Sequence, residues 1–114
     1  MKIIPSKEKV EKLTYEEAVK QIKLWRDTQQ AGKLFGNEKD ESFKSSLRTV
    51  YQTFDGKELY PGIKLKAAHL LYFIVKNHSF TDGNKRIAAG LFAYFLYLNK
   101  ILFKADGTKL LDDK

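Results

Sequence analysis

The sequence predicts an all-α domain with a central antiparallel helix pair and a small β-hairpin flap. Two long and strongly apolar segments, Lys64–Asn77 and Asn84–Asn99, flank a short polar loop. An amphipathic segment follows Thr14, and one strong turn signal, Asp55-Gly56, sits between aromatic and β-favouring residues. At 114 residues the chain has room for one core of modest size.

The first helix is expected over Tyr15–Ala31. Thr14 and Glu17 have capping-box spacing, Ala18, Ile22 and Trp25 share a face, and Gly32 offers a stop. Lys33–Asp40 has no period and is expected to be a loop. Glu41–Val50 can form a short helix with Phe43, Leu47 and Val50 on one side. Tyr51–Tyr60 is expected to form a hairpin turning at Asp55-Gly56, closed by Pro61-Gly62. A lone two-stranded ribbon is marginal in water, so it should lie against the helices.

Ala67, Leu70, Leu71, Ile74 and Val75 make the next helix apolar almost all round, and the helix from Asn84 is equally apolar. Such helices bury each other, and the short connection makes the pair antiparallel. Trp25 and Phe80 are expected in the core. The aromatic series Phe92, Tyr94, Phe95 and Tyr97 is explained by packing rather than base stacking. The tail from Ile101 is expected to start extended, turn at Asp106-Gly107 and stop where a helix would begin. Residues 1–114 are therefore treated as a single domain cut short at its C-terminus.

The net charge of +7 suits an anionic partner. Lysines carry it, dispersed along the chain, and the only arginines are Arg26, Arg48 and Arg86. Nucleic-acid surfaces lean on clustered arginine, so no specific nucleic-acid partner is expected. The chain has no cysteine, hence no disulfide or thiolate metal site. Met1–Lys9 has no secretory apolar core, and the longest apolar run, Ile87–Leu98, falls short of the roughly 20 residues that span a bilayer. A soluble, cytoplasmic protein without a membrane partner is expected.

The chemistry concentrates in the loop between the apolar helices. A helix opening at Gly83-Asn84-Lys85-Arg86 offers unpaired amides and the positive end of its dipole, a natural phosphate site. Gly83 permits close approach of an anion. Lys85 and Arg86 oppose the dipole, a local conflict that often marks function. Asp82 can hold Mg²⁺ beside phosphate oxygens, or simply cap the helix. His78 can be a surface C-cap, or a general base of the kind imidazoles supply near neutrality. His69, inside an apolar helix, is expected to be packed or half-exposed, and two histidines are too few for a metal hydrolase.

The stretch His78-Ser-Phe-Thr-Asp-Gly-Asn-Lys-Arg86 resembles the Fic/Doc signature His-x-Phe-x-(Asp/Glu)-(Gly/Ala)-Asn-(Gly/Lys)-Arg at every fixed position. The likeness covers Thr14 to Phe103. The segments Tyr51–Tyr60 and Lys66–Asn77 also resemble the Doc-type domain of RhuM-type virulence proteins. The resemblance implies an ATP- and Mg²⁺-dependent transferase acting on a Ser, Thr or Tyr hydroxyl of a target protein. It implies His78 as base, Asp82 as Mg²⁺ ligand, and Gly83, Asn84, Lys85 and Arg86 as the phosphate-binding group. It further implies a target-aligning flap made of Gln52, Thr53, Phe54, Asp55, Gly56, Lys57, Glu58 and Leu59.

Lys85 in place of glycine, and Ala89 where AMP-transferring members carry a second arginine, match the Doc branch, which transfers phosphate. Gly83 instead of alanine leans towards AMP transfer. A non-catalytic module binding nucleotide, protein or nucleic acid is the remaining alternative. The family's inhibitory (Ser/Thr)-x-x-x-Glu-(Gly/Asn) motif is absent from the sequence, so restraint is expected from an antitoxin or from a part of the chain outside these residues.

Overall fold

Burial of the two apolar segments against each other organises the molecule. In the computed structural model, which describes residues 10–101, the order is α1 (Tyr15–Thr28), α2 (Ser42–Val50), β1 (Thr53–Phe54), β2 (Lys57–Glu58), α3 (Ile63–Asn77) and α4 (Asn84–Leu98). The largest interface joins α3 to α4, and α2 packs on α3. The core beneath them includes Phe43, Ala67, Leu70, Ile74, Ile87, Leu91 and Phe95. The expected turn at Asp106-Gly107 lies outside the described residues.

The expected helices are present, with α1 shorter than its periodicity suggests. Thr14 caps it, its hydroxyl accepting from the Glu17 amide at 3.1 Å. Glu17 does not close the box in return: its carboxylate accepts from the Tyr94 hydroxyl at 3.3 Å, fastening α1 to α4. The helix ends at Thr28 because Gln30 adopts a positive φ of 53°. The Ala31 amide then reaches back to the Arg26 carbonyl and the Gln30 amide to Asp27. Gly32 is not needed for the stop. The same device ends α4, with Lys100 at φ 59° and the Ile101 amide bonded to Leu96 at 3.0 Å.

Asp55 and Gly56 both have positive φ, as a tight two-residue hairpin turn requires, and pair Thr53 with Glu58 and Phe54 with Lys57. The ribbon is exposed along its length. It is held at its base by Lys66, which is only 3% exposed. Its ammonium pairs with the Glu58 carboxylate and donates to the Tyr60 carbonyl at 2.6 Å. The Tyr60 ring lies over His69, with centroids 4.0 Å apart, and meets Phe73 edge-on.

The segment expected to be a plain loop, Lys33–Asp40, is a strap that pairs with the α3–α4 connection. Phe35 bridges to Asp82 in parallel and Glu38 to Phe80 in antiparallel sense. No helix among the described residues is long and apolar enough to cross a membrane.

Candidate active site

The connection His78–Gly83 is shaped from both ends. His78 takes the left-handed conformation, φ 52° and ψ 54°, and so terminates α3; the Ser79 amide bonds back to the Ile74 carbonyl. Histidine tolerates this region better than most side chains, though at some cost in backbone energy. At the other end Gly83 is also left-handed, φ 85° and ψ 15°. A Cβ at Gly83 would come within 2.4 Å of the Phe35 ring, so this position must be glycine on two counts.

Between these ends the backbone is clamped. The strap receives the Thr81 amide on Asn37 O at 2.8 Å, gives the Lys39 amide to Ser79 O at 2.9 Å, and gives the Gly36 amide to Asp82 O at 3.1 Å. Asn84 is buried and brackets one residue: its Oδ1 accepts from the Phe80 amide at 2.8 Å, and its Nδ2 donates to the Phe80 carbonyl at 2.7 Å. Phe80 itself is 1% exposed and packs on Phe43, centroids 5.0 Å apart. The Asn84 side chain is thus committed to the loop, and what it offers an anion is its backbone amide.

No side chain caps α4. Asp82, whose residue type favours capping, leaves that place to Gly83, and among the described residues its exposed carboxylate has no hydrogen-bond or ion-pair partner. The first-turn amides of Asn84, Lys85 and Arg86 therefore lack the side-chain acceptor that most helix N-termini carry. His78, Thr81, Asp82, Gly83, Asn84, Lys85 and Arg86 line one open depression of about 330 Å³. Hairpin residues do not line it.

Arg86 turns its guanidinium over the Phe35 ring, 5.0 Å from the centroid, and donates to Gln29 Oε1 at 3.1 Å. These contacts offset part of the conflict between its charge and the helix dipole. Tyr15 braces the strap from outside by donating to the Glu38 carboxylate. That hydrogen bond, reinforced by burial and the nearby carboxylates, pushes the Tyr15 phenol up to about 12.

The depression fits Mg²⁺ in a restricted sense. Among the described residues no cluster of three or more potential ligands exists. Asp82 alone presents a free carboxylate at the rim, which suits a cation that takes most of its shell from substrate phosphates and water.

Phe35, Gly36, Gln29 and Lys66 were not singled out by their sequence. Only Gly36, which has φ 79° and no room for a Cβ against Ile22, carried a recognisable turn signal.

A helix pair joined by this clamped connection, with the His78–Arg86 signature at its turn, defines a Fic-type domain. The chain belongs to the Fic/DOC family, which it matches over residues 11–96. It is similar to the Toxin Doc of Mycolicibacterium smegmatis (strain ATCC 700084 / mc(2)155), 41% identical over 58 residues. Those residues cover 51% of this chain and 42% of that toxin, so the chain spans less than half the length of the curated relative. No solved structure matches it significantly.

Proposed function

We propose that the chain is an ATP- and Mg²⁺-dependent transferase that moves the γ-phosphate to a hydroxyl of a target protein. The observation that carries this reading is the uncapped first turn of α4, opening onto the same depression as His78, Asp82, Lys85 and Arg86. His78 accepts the proton of the incoming Ser, Thr or Tyr hydroxyl. The hydroxyl oxygen then bonds to the γ-phosphorus as the bond to the β–γ bridging oxygen breaks, and ADP departs. The α4 amides, Lys85 and Arg86 hold the charge that gathers on the phosphoryl oxygens. Asp82 would hold Mg²⁺, which would supply neutralisation of the phosphate charge.

The exposed hairpin, Gln52–Leu59, aligns the target segment by strand pairing. Similarity to a toxin supports a toxic role, and restraint in trans by an antitoxin is what the Doc-like signature implies. Gly83 leans towards AMP transfer on sequence, and it also has a structural reason to be glycine. Its left-handed φ and the close Phe35 ring both exclude a Cβ at this position.

The test uses lysate and ATP labelled at either the α- or the γ-phosphate. Transfer of the γ label, reduced about 10²–10⁴-fold in His78→Ala with nucleotide binding intact, is the expected result. Transfer of the α label would replace phosphate by AMP, and no transfer of either would favour a binding module.

A further inference from the structure

Another cavity, of about 490 Å³, lies between the start of α1 and α2. None of its lining residues lines the depression around His78. Tyr51, in its wall, packs edge-on against Phe95 with centroids 6.4 Å apart. Phe95 lies in the last turn of α4 and Asn84 opens that helix, which puts roughly 16 Å of helix between the cavity and the proposed chemistry. The chain entering α1 is fixed in place here, because the Tyr51 hydroxyl accepts from the Leu13 amide at 2.8 Å.

The floor of this cavity is apolar, built on the buried Leu13 and Leu47, and its rim is basic. The Lys12 ammonium stands 5.1 Å from the Tyr51 ring centroid and that of Lys44 5.0 Å from Tyr15. With Arg48 they set three cations against one carboxylate, Glu16. Among the described residues Lys12 and Arg48 form no ion pair, and Lys44 only a long one, 3.8 Å from Glu41. A basic rim of this kind suits carboxylates. Other anions fit it less well. Lysines cover the rings that a base would need to stack on. The first turn of α1 is capped by Thr14 and already carries Glu16 and Glu17, which repel phosphate. A concave floor takes one projecting side chain, where a membrane surface needs a plane.

We infer that this cavity docks an acidic peptide segment of a partner protein. The segment seats a leucine-, isoleucine- or phenylalanine-sized side chain on Leu13 and Leu47, and lays flanking carboxylates against Lys12, Lys44 and Arg48. Such docking needs no transfer chemistry, so its failure would leave the transferase reading untouched.

Selection of random displayed peptides on the full chain tests this. The selected sequences are expected to carry Asp or Glu around a Leu, Ile or Phe. A synthetic peptide of their consensus should bind more weakly as ionic strength rises. Arg48→Glu should weaken it by about 5- to 30-fold with the melting temperature unchanged. Exchanging one acidic residue of the peptide for lysine should restore part of the affinity for the Arg48→Glu protein, which damage to the fold would not allow. Selection of no peptide, of neutral or basic peptides, or of peptides that bind both proteins alike overturns the inference. So does binding of a single-stranded oligonucleotide or of phosphatidylglycerol vesicles that Arg48→Glu abolishes while peptide binding is unchanged, which would give the basic rim to nucleic acid or to a membrane surface instead.

Discussion

The α3–α4 connection and the β-hairpin are the two irregular stretches offered for chemistry, and they are built in opposite ways. The connection is pinned by Asn84 around Phe80, by three backbone hydrogen bonds to the strap, and by a glycine with no room for a side chain. The hairpin is exposed throughout, has one ladder of two pairs, and is tied to the body chiefly through Lys66 and Tyr60. The contrast follows from the two tasks proposed for them. Phosphoryl chemistry gains from donors fixed before the substrate arrives, while a strand that must receive a target segment gains from free edges and the ability to adapt.

The comparison can be broken most decisively at the rigid end. Gly83→Ala places a Cβ against Phe35 in a left-handed backbone, and the two penalties together should destabilise the fold by about 2–4 kcal/mol. Urea unfolding measures the loss; a change under 1 kcal/mol would show that the connection yields and is not clamped. Lys66→Met tests the polar anchor of the adaptable end. It removes the donor to the Tyr60 carbonyl and the partner of Glu58, at an expected cost of about 1–2 kcal/mol. Hydrogen exchange should quicken at the Leu59 amide, which bonds to Gln52 O at 3.0 Å, and not at Thr81.

Phe54→Ala sharpens the contrast from the functional side. The ring is 75% exposed, so stability should stay within about 0.5 kcal/mol while KM for the target protein rises and kcat holds. A fall in kcat with KM unchanged would mean that the ribbon acts on the chemistry itself.

The smallest effect is expected at Tyr15, which supports the connection only through the strap. Its phenol is raised in the folded state, so the stabilisation is complete below the ordinary tyrosine value near 10 and fades as pH climbs towards 12. Tyr15→Phe should cost about 0.5–1.5 kcal/mol at neutral pH. In an ultraviolet titration it should also remove a late-forming phenolate. Retention of that late phase would place it on another tyrosine.

What the sequence determined by itself is whatever depends on neighbours along the chain. The period of α3 and α4, the cap at Thr14, the Asp55-Gly56 turn and the nine-residue stretch from His78 to Arg86 all rest on local geometry. Nearly all of the candidate site was therefore legible as a set. The roles within it were less so. Asp82 has the residue type of an N-cap and does not cap; Asn84 looks like an anion ligand and spends its side chain on Phe80.

Tertiary structure alone decided three further things. The strap around Phe35 and Gly36 has no period, because irregular backbone pairs through amides and carbonyls that every residue possesses. Lys66 is buried because its acceptors, the Glu58 carboxylate and the Tyr60 carbonyl, come from the folded-back hairpin. Trp25 and Tyr97 turn from packing residues into the walls of a pocket, with the Trp25 ring seated against Gly90 where a Cβ would leave it no room. Contacts between segments far apart in sequence follow from the shapes of both partners at once, and a pattern read along one segment carries only half of that information.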